Sequence, residues 1–236
     1  MSIATKPVRY EHGGVSFEAY AAWEDSSTAA RPIVLIASTV MGRSRFEEGK
    51  ARSLAELGYV GVAIDLYGVD KWTTDIERAR GWMDALNADR ALLRDRLLAA
   101  LAAARGIGAP ADPARVAAIG FCFGGKCVLD LARAGADVAG VVSFHGLYDP
   151  PPLPPAGIQA KILVLHGWDD PLGPPETVLA LSKELTDAGA DWQIHSYGHI
   201  VHAFTNPARE GMYSPAADRR SWQAMGNFLE EIFGSR

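Results

Sequence analysis

The sequence predicts a single α/β domain, residues 1–236, with a doubly wound, mostly parallel sheet flanked by helices. Short apolar runs rich in β-branched residues alternate with longer segments of helical periodicity along the whole chain. The 236 residues, 48% of them hydrophobic, are enough for one full core. No repeat and no interdomain linker interrupts the alternation.

The strands and helices are predicted from their apolar patterns. An early strand is expected at 14–23, and buried strands are expected at 32–38, 60–66, 116–121, 139–144, 161–166 and 192–197. Helical periodicity covers 43–58, 75–86, 89–105, 124–134, 176–188 and 218–233. Gly58 is predicted to end the first helix. Five prolines in "YDPPPLPPAG", residues 148–157, predict a stiff surface loop.

Composition argues against several classes of protein. The net charge of −5 and the lack of a basic block argue against nucleic-acid binding. The start "MSIATKPVRYEHGG" lacks the apolar region of a signal peptide, and charged residues break the longest Ala/Leu stretch, so we expect no membrane span. Two cysteines, Cys122 and Cys127, favour a reducing compartment and hence the cytoplasm. Cys127, surrounded by apolar residues, is predicted to be a core residue.

Three reactive side chains follow predicted strands. Cys122 comes after the run 116–121, Asp170 after 161–166 and His202 after 192–197. Ligands of such sheets bind beyond the carboxyl ends of the strands, so these side chains are expected to meet there. Along the chain, the thiol comes first, the carboxylate second and the imidazole third. Enzymes with a nucleophile elbow carry their nucleophile, acid and base in this same order.

The segment "GFCFGG" suits a nucleophile on a sharp strand-to-helix turn. Side chains two positions before and after Cys122 would collide, and Gly120 and Gly124 avoid this collision. Gly125 lets the following helix approach the sheet. The amino end of that helix favours a thiolate at Cys122, which is a strong nucleophile.

Neighbouring residues compete for the acid and base roles. Asp170 is preferred over Asp169 because Pro171 fixes the turn after it. His202 is preferred over His199 in the same loop, and His195 is predicted to face outward or pack within its strand. His145 and His166 are expected to anchor loops through hydrogen bonds. His199 and His202 lack the spacing of a metalloprotease helix, which weighs against a metal site.

Five segments together resemble the dienelactone hydrolase family of the α/β-hydrolase superfamily, over roughly residues 32–233. They are "IVLIASTVMG", "LAELGYVGVAIDLYG", "IGFCFGG", "LVLHGWDDPLGPPE" and "HAFTNPA". The resemblance implies an α/β-hydrolase fold, the triad Cys122, Asp170 and His202, and hydrolysis of an ester or lactone through a thioester. No metal or organic cofactor is expected.

Two positions depart from the pattern of the enzymes that give the family its name. Those enzymes have a glutamate at the position of Thr39 and an arginine at the position of Asn206. The arginine grips a carboxylate of the substrate, so its absence predicts a preference for neutral substrates. Arg80 is a possible replacement cation, although its helix also suits a solvated face.

The remaining site residues are predicted from their place after a strand. The backbone N–H of Phe123 is expected to be one donor of the oxyanion hole. The second donor is expected to be the N–H of Val40, with that of Thr39 as the alternative. The residues predicted to line the substrate pocket are Thr39, Tyr67, Phe144, Trp168 and Asn206. Trp72 and the proline-rich loop are further candidates. The substrate is expected to be a small molecule, and the protein a monomer or small homo-oligomer. A non-catalytic binding module and an acyltransferase or thioesterase stay open as alternatives.

Overall fold

The computed structural model describes residues 2–26, 29–154 and 156–234. The described strands form a mostly parallel sheet flanked by helices, which confirms the predicted fold class. The strands are β1 Ile3–His12, β2 Val15–Glu24, β3 Arg31–Ala37, β4 Val60–Ala63, β5 Ala111–Phe121, β6 Gly140–Phe144, β7 Lys161–Gly167 and β8 Trp192–Tyr197. Their order in the sheet is β1-β2-β4-β3-β5-β6-β7-β8. The helices are α1 Arg45–Glu56, α2 Ile76–Ala88, α3 Arg90–Arg105, α4 Phe123–Arg133, α5 Pro175–Asp187 and α6 Pro215–Phe233.

The chain divides into two compact units, residues 1–118 and 119–236. The first unit opens with an antiparallel pair, β1 and β2, joined by Gly13 and Gly14 at φ 56° and 73°. β2 continues antiparallel to β4, and β4 runs parallel to β3. The prediction of a single domain over 1–236 stays a prediction.

Helix α1 lies directly against strand β4 in the first unit. Ser44 caps its amino end, and Gly58, at φ 83°, follows its carboxyl end as predicted. A Cβ placed on Gly61 of β4 would lie 2.5 Å from the carbonyl oxygen of Ala51 in α1. Because Gly61 has no side chain, the backbones of the helix and the strand can approach this closely.

The second unit places three parallel strands side by side. β6 pairs with β7, and β7 pairs with β8. Helix α4 packs against β6, and α6 packs against β6 and β7. Because parallel strands end at one edge of a sheet, the segments that follow β6, β7 and β8 are brought together.

Three strands differ from their predicted form. β1 was not predicted, because its residues alternate between half-buried and exposed and show no apolar run. β4 ends at Ala63 rather than at residue 66, because Asp65 accepts hydrogen bonds from the N–H groups of Tyr67 and Gly68 at 2.9 and 3.0 Å and turns the chain. β8 lies at the end of the sheet and is half-exposed, so the prediction of a buried strand there was wrong.

Two further predictions concern segments outside the sheet. The described part of the proline-rich loop has neither helix nor strand, and Pro155 lies outside the described residues. Among the helices in the described ranges, none is long and apolar enough to cross a membrane.

The contact between α1 and β4 predicts opposite effects for two glycine substitutions. Gly61→Ala should destabilise the protein by about 1–3 kcal/mol, because the backbone of α1 must move away from the new methyl group. Gly49→Ala is the matched control, since Gly49 is exposed in α1 and a Cβ there meets nothing within 4 Å. It should stabilise the helix by about 1 kcal/mol. Urea unfolding measures both changes, and equal effects would contradict the close contact.

Candidate active site

Cys122 stands on a strained turn between β5 and α4. Its backbone has φ 58° and ψ −117°, a region that residues with a side chain rarely occupy. The Cys122 N–H donates to the carbonyl of Phe144 at 3.0 Å, and the Cys122 carbonyl accepts from the N–H of Gly125 at 2.9 Å. These bonds hold the turn to β6 on one side and to α4 on the other.

Two glycines around Cys122 leave no room for a side chain, as predicted for Gly120 at the turn and for Gly125 where the helix approaches the sheet. A Cβ on Gly120 would lie 2.0 Å from the carbonyl oxygen of Gly124. A Cβ on Gly125 would lie 2.6 Å from Ser143 Oγ and 2.7 Å from Gly146 Cα, at the end of β6. The chain can therefore present a side chain at Cys122 only because its neighbours have none.

Asp170 and His202 are joined by a hydrogen bond. His202 Nδ1 lies 2.7 Å from Asp170 Oδ2, and both side chains are buried, with exposures of 9% and 0%. The second carboxylate oxygen, Oδ1, accepts from the N–H of Leu172 at 2.8 Å. The turn after β7 therefore fixes the carboxylate, and the carboxylate orients the imidazole.

The imidazole of His202 is electrostatically coupled to Cys122. Burial lowers the pKa of His202, but the hydrogen bond to Asp170 and the nearby Cys122 outweigh burial and raise the pKa to about 10. His202 Nε2 is buried and has no hydrogen-bond partner in the described part of the chain. Cys122 therefore lies close enough to His202 to stabilise an imidazolium.

Two further histidines pack around this pair. His145 Nε2 lies 2.8 Å from Thr205 Oγ1, and the His145 ring meets the His202 ring edge-on at 5.0 Å. His166 Nδ1 lies 2.9 Å from the hydroxyl of Tyr148. Burial lowers the pKa of His166, which favours the neutral form of this ring. Both histidines hold loop residues, as predicted.

The competing acid and base candidates lie in solvent. The side chain of Asp169 is 50% exposed. Its Oδ2 lies 3.7 Å from Nδ1 of His199, whose side chain is 99% exposed. His195 is exposed on β8. Across the described residues, no group of three or more histidine, cysteine or acidic side chains is arranged to hold a metal ion. Cys127 is buried, which confirms its prediction as a core residue.

The pocket candidates of the second unit differ in exposure. Phe144 has no accessible surface and stacks on Phe121 at 4.6 Å, which places it in the core rather than on an accessible wall. Trp168, two residues before Asp170, is 45% exposed. Asn206 is half-buried, and its Oδ1 accepts from the N–H of Ala208 at 3.0 Å, so the side chain closes a turn.

The first unit holds the remaining candidates, with Thr39 and Val40 in the loop after β3 and Tyr67 in the segment after β4. The Thr39 N–H donates to Glu47 Oε1 at 3.1 Å, and the hydroxyl of Tyr67 donates to the Val40 carbonyl at 3.2 Å. Glu47 was not predicted as a site residue. The pattern Ser44-x-x-Glu47 is a capping-box signature that predicts its bond to Ser44, but no sequence signal gives its bond to Thr39.

Known proteins resemble the chain over almost its whole length. A family model described as "Dienelactone hydrolase family" matches residues 17–233. An uncharacterised protein of Caenorhabditis elegans is 36% identical over 154 residues, which cover 60% of this chain and 94% of that protein. A solved structure named m3DLH is 37% identical with a TM-score of 0.93, covering 98% of this chain and 99% of that one. A dienelactone hydrolase-like promiscuous phosphotriesterase, P91, from metagenomic libraries is 34% identical with a TM-score of 0.90, at the same coverage.

The hydrogen bond between Asp170 and His202 predicts how the imidazole titrates. Asp170→Asn should lower the pKa of His202 well below about 10, because a neutral amide stabilises the imidazolium less than a carboxylate does. His202 would then lose its proton at a lower pH than in the wild type. Histidine NMR titration measures the shift. Asp169→Asn is the control, and a larger shift for this variant would show that the wrong aspartate has been chosen.

Proposed function

Because this chain belongs to the dienelactone hydrolase family, a family of ester and lactone hydrolases, we propose that it hydrolyses carboxylic esters or lactones through a thioester on Cys122. The observation that carries the proposal is the buried Asp170–His202 hydrogen bond, which together with Cys122 on its strained turn raises the pKa of the imidazole. These three side chains have the chemical roles of a nucleophile, a base and an orienting acid.

In the first half of the reaction, the Cys122 sulfur attacks the acyl carbonyl carbon. A carbon–sulfur bond forms, and the carbonyl oxygen becomes an oxyanion. We propose the backbone N–H groups of Phe123 and Val40 as its donors. The support for Val40 is that its N–H makes no hydrogen bond within the described residues, whereas the Thr39 N–H is bound to Glu47.

Collapse of the tetrahedral intermediate completes the transfer. The carbon–oxygen bond breaks, and the His202 imidazolium gives its proton to the leaving alkoxide. In the second half, water loses a proton to His202 and attacks the thioester. The carbon–sulfur bond then breaks, the carboxylic acid is released, and the Cys122 thiolate is left beside the His202 imidazolium that holds the proton taken from water. Asp170 holds the imidazole tautomer throughout. The steps need no metal or organic cofactor.

The preferred substrate is proposed to be electrically neutral. Thr39 carries no charge, and Asn206 offers only neutral hydrogen bonds where the name-giving enzymes have an arginine. The Asn206 Oδ1 already accepts from Ala208. A carboxylated lactone would therefore lose its hydration with weak compensation.

A second candidate activity is the hydrolysis of neutral phosphotriesters. P91 carries the description phosphotriesterase and is 34% identical over nearly the whole chain. A phosphotriester is also an uncharged ester whose attack places negative charge on an oxygen. The same thiol and the same oxyanion donors would serve it, so paraoxon belongs in the substrate panel beside aryl esters and lactones.

Mass measurement of the intact protein tests the thioester. Mixing with p-nitrophenyl acetate should add one acetyl group to the wild type, and the adduct should decay as water attacks it. Cys122→Ala should fold yet form no adduct and hydrolyse no ester. Cys127→Ala is the matched control, and it should form the adduct because Cys127 is buried.

Inhibitors and the fate of the adduct separate the alternative functions. Iodoacetamide should abolish activity and a chelator should not; inhibition by chelator alone would favour metal-dependent hydrolysis. An adduct that persists in water but passes to an added thiol or alcohol would indicate an acyltransferase. Unchanged turnover in Cys122→Ala would rule out the thiol mechanism.

Substrate charge provides a separate test at Asn206. The wild type should have a higher kcat/KM for neutral aryl esters than for carboxylated lactones. A hydrogen bond to a charged group contributes about 1.5–3 kcal/mol and a neutral one about 1, so Asn206→Arg should improve the carboxylated lactone by roughly tenfold. Asn227→Arg, an equal change at an exposed position of α6, should have no effect. A wild type that prefers carboxylated lactones would refute the proposed role of Asn206.

A further inference from the structure

The buried carboxylate of Glu47 is the least expected group of the first unit. Glu47 has no accessible surface. Burial raises the pKa of Glu47, and hydrogen bonds from Ser44 and Thr39 offset part of this effect. Glutamates are rarely buried without a specific set of partners, because desolvation of the carboxylate is costly. The partners of Glu47 therefore indicate what the side chain does.

Glu47 binds both ends of the loop that joins β3 to α1. Oε1 accepts from the Thr39 N–H at 3.1 Å. Oε2 accepts from the Ser44 N–H at 2.9 Å and lies 2.7 Å from Ser44 Oγ. The bonds to Ser44 form an ordinary helix cap. The bond to Thr39 reaches eight residues back and adds nothing to the cap, so it serves the loop.

The rest of the loop is fastened around the same residues. The Met41 N–H donates to Thr39 Oγ1 at 3.4 Å, and the Gly42 N–H donates to the Thr39 carbonyl at 3.2 Å. The Val40 carbonyl accepts from the hydroxyl of Tyr67. From Thr39 to Gly42, the N–H of Val40 alone has no partner among the described residues.

We propose that Glu47 is a positioning residue that fixes the loop so that the Val40 N–H is directed to the oxyanion of the substrate. The inference rests on the proposed function, in which that N–H is one of two oxyanion donors. Glu47 itself touches no reacting atom. By binding the Thr39 N–H, it leaves the next N–H along the chain as the available donor, and it fixes the peptide plane that carries this donor.

Two reactions of the same thiol separate this role from a general structural one. Acylation of Cys122 by p-nitrophenyl acetate creates an oxyanion and releases p-nitrophenolate. Alkylation by iodoacetamide forms a carbon–sulfur bond and expels iodide without creating an oxyanion. A misplaced oxyanion donor should slow the first reaction and leave the second unchanged. Stopped-flow release of p-nitrophenolate and mass measurement give the two rates.

Glu47→Gln is the variant of choice because it keeps the shape of the side chain. In either orientation its amide NH₂ faces a backbone N–H, of Thr39 or of Ser44, so one end of the loop is released. The acylation rate should fall about 10- to 100-fold, while the alkylation rate should match the wild type. Glu56→Gln, the same change at an exposed position of α1, should alter neither rate.

The remaining outcomes decide against the inference. Equal slowing of both reactions in Glu47→Gln would assign Glu47 a general structural role, and wild-type acylation would show that the loop needs no such fixing. Failure of the proposed function is distinguishable, because then iodoacetamide would not inactivate the wild type. If circular dichroism shows that Glu47→Gln does not fold, Glu47→Asp replaces it. Aspartate keeps the charge but is too short to bind both Thr39 and Ser44, so the same selective loss of acylation is expected.

Discussion

The constraint on which the site depends is the strained backbone at Cys122. With φ at 58°, the chain passes from strand to helix at this one residue, and Cys122 stays partly exposed. The backbone of Gly124 then lies so close to Gly120 that no side chain fits there. The strain is maintained by the packing of α4 onto β6 through Gly125. The proposed thiol chemistry of Cys122 therefore depends on this turn.

Around the turn, burial and hydrogen bonding give chemically similar residues different properties. Asp170 is buried and bound to His202, whereas the adjacent Asp169 is half-exposed. His202 carries a raised pKa because a carboxylate and a thiol compensate its burial. His166, also buried, meets a neutral tyrosine hydroxyl, and burial lowers its pKa. A charge is thus stabilised on only one of these two imidazoles.

The sequence predicted the parts of the fold that have strong local signals. The apolar run of residues 32–38 predicts strand β3, and the glycines of "GFCFGG" predict the sharp turn at Cys122. Asp170 was distinguished from Asp169 by the proline that follows it. The strands at the two edges of the sheet were harder to predict. β1 alternates half-buried and exposed residues, and β8 pairs with one strand, β7, and is half-exposed. Glu47 was missed because its bond to Thr39 depends on how the loop folds back over the first turn of α1, which no spacing rule describes.

Cys122, Asp170 and His202 all lie between residues 119 and 236, whereas the loop of Thr39 and Val40 belongs to residues 1–118. In evolutionary terms, the two halves of the gene are exposed to different selection. In the proposed mechanism, mutations of Asp170 or His202 in the second half affect the proton transfers that every substrate requires. Mutations in the loop of the first half act on the proposed oxyanion donor and leave those transfers intact. Diversification among related enzymes, and recombination libraries made from them, should therefore tolerate more variation in the side chain at Thr39, whose bond to Glu47 is made by the backbone N–H, than at Cys122.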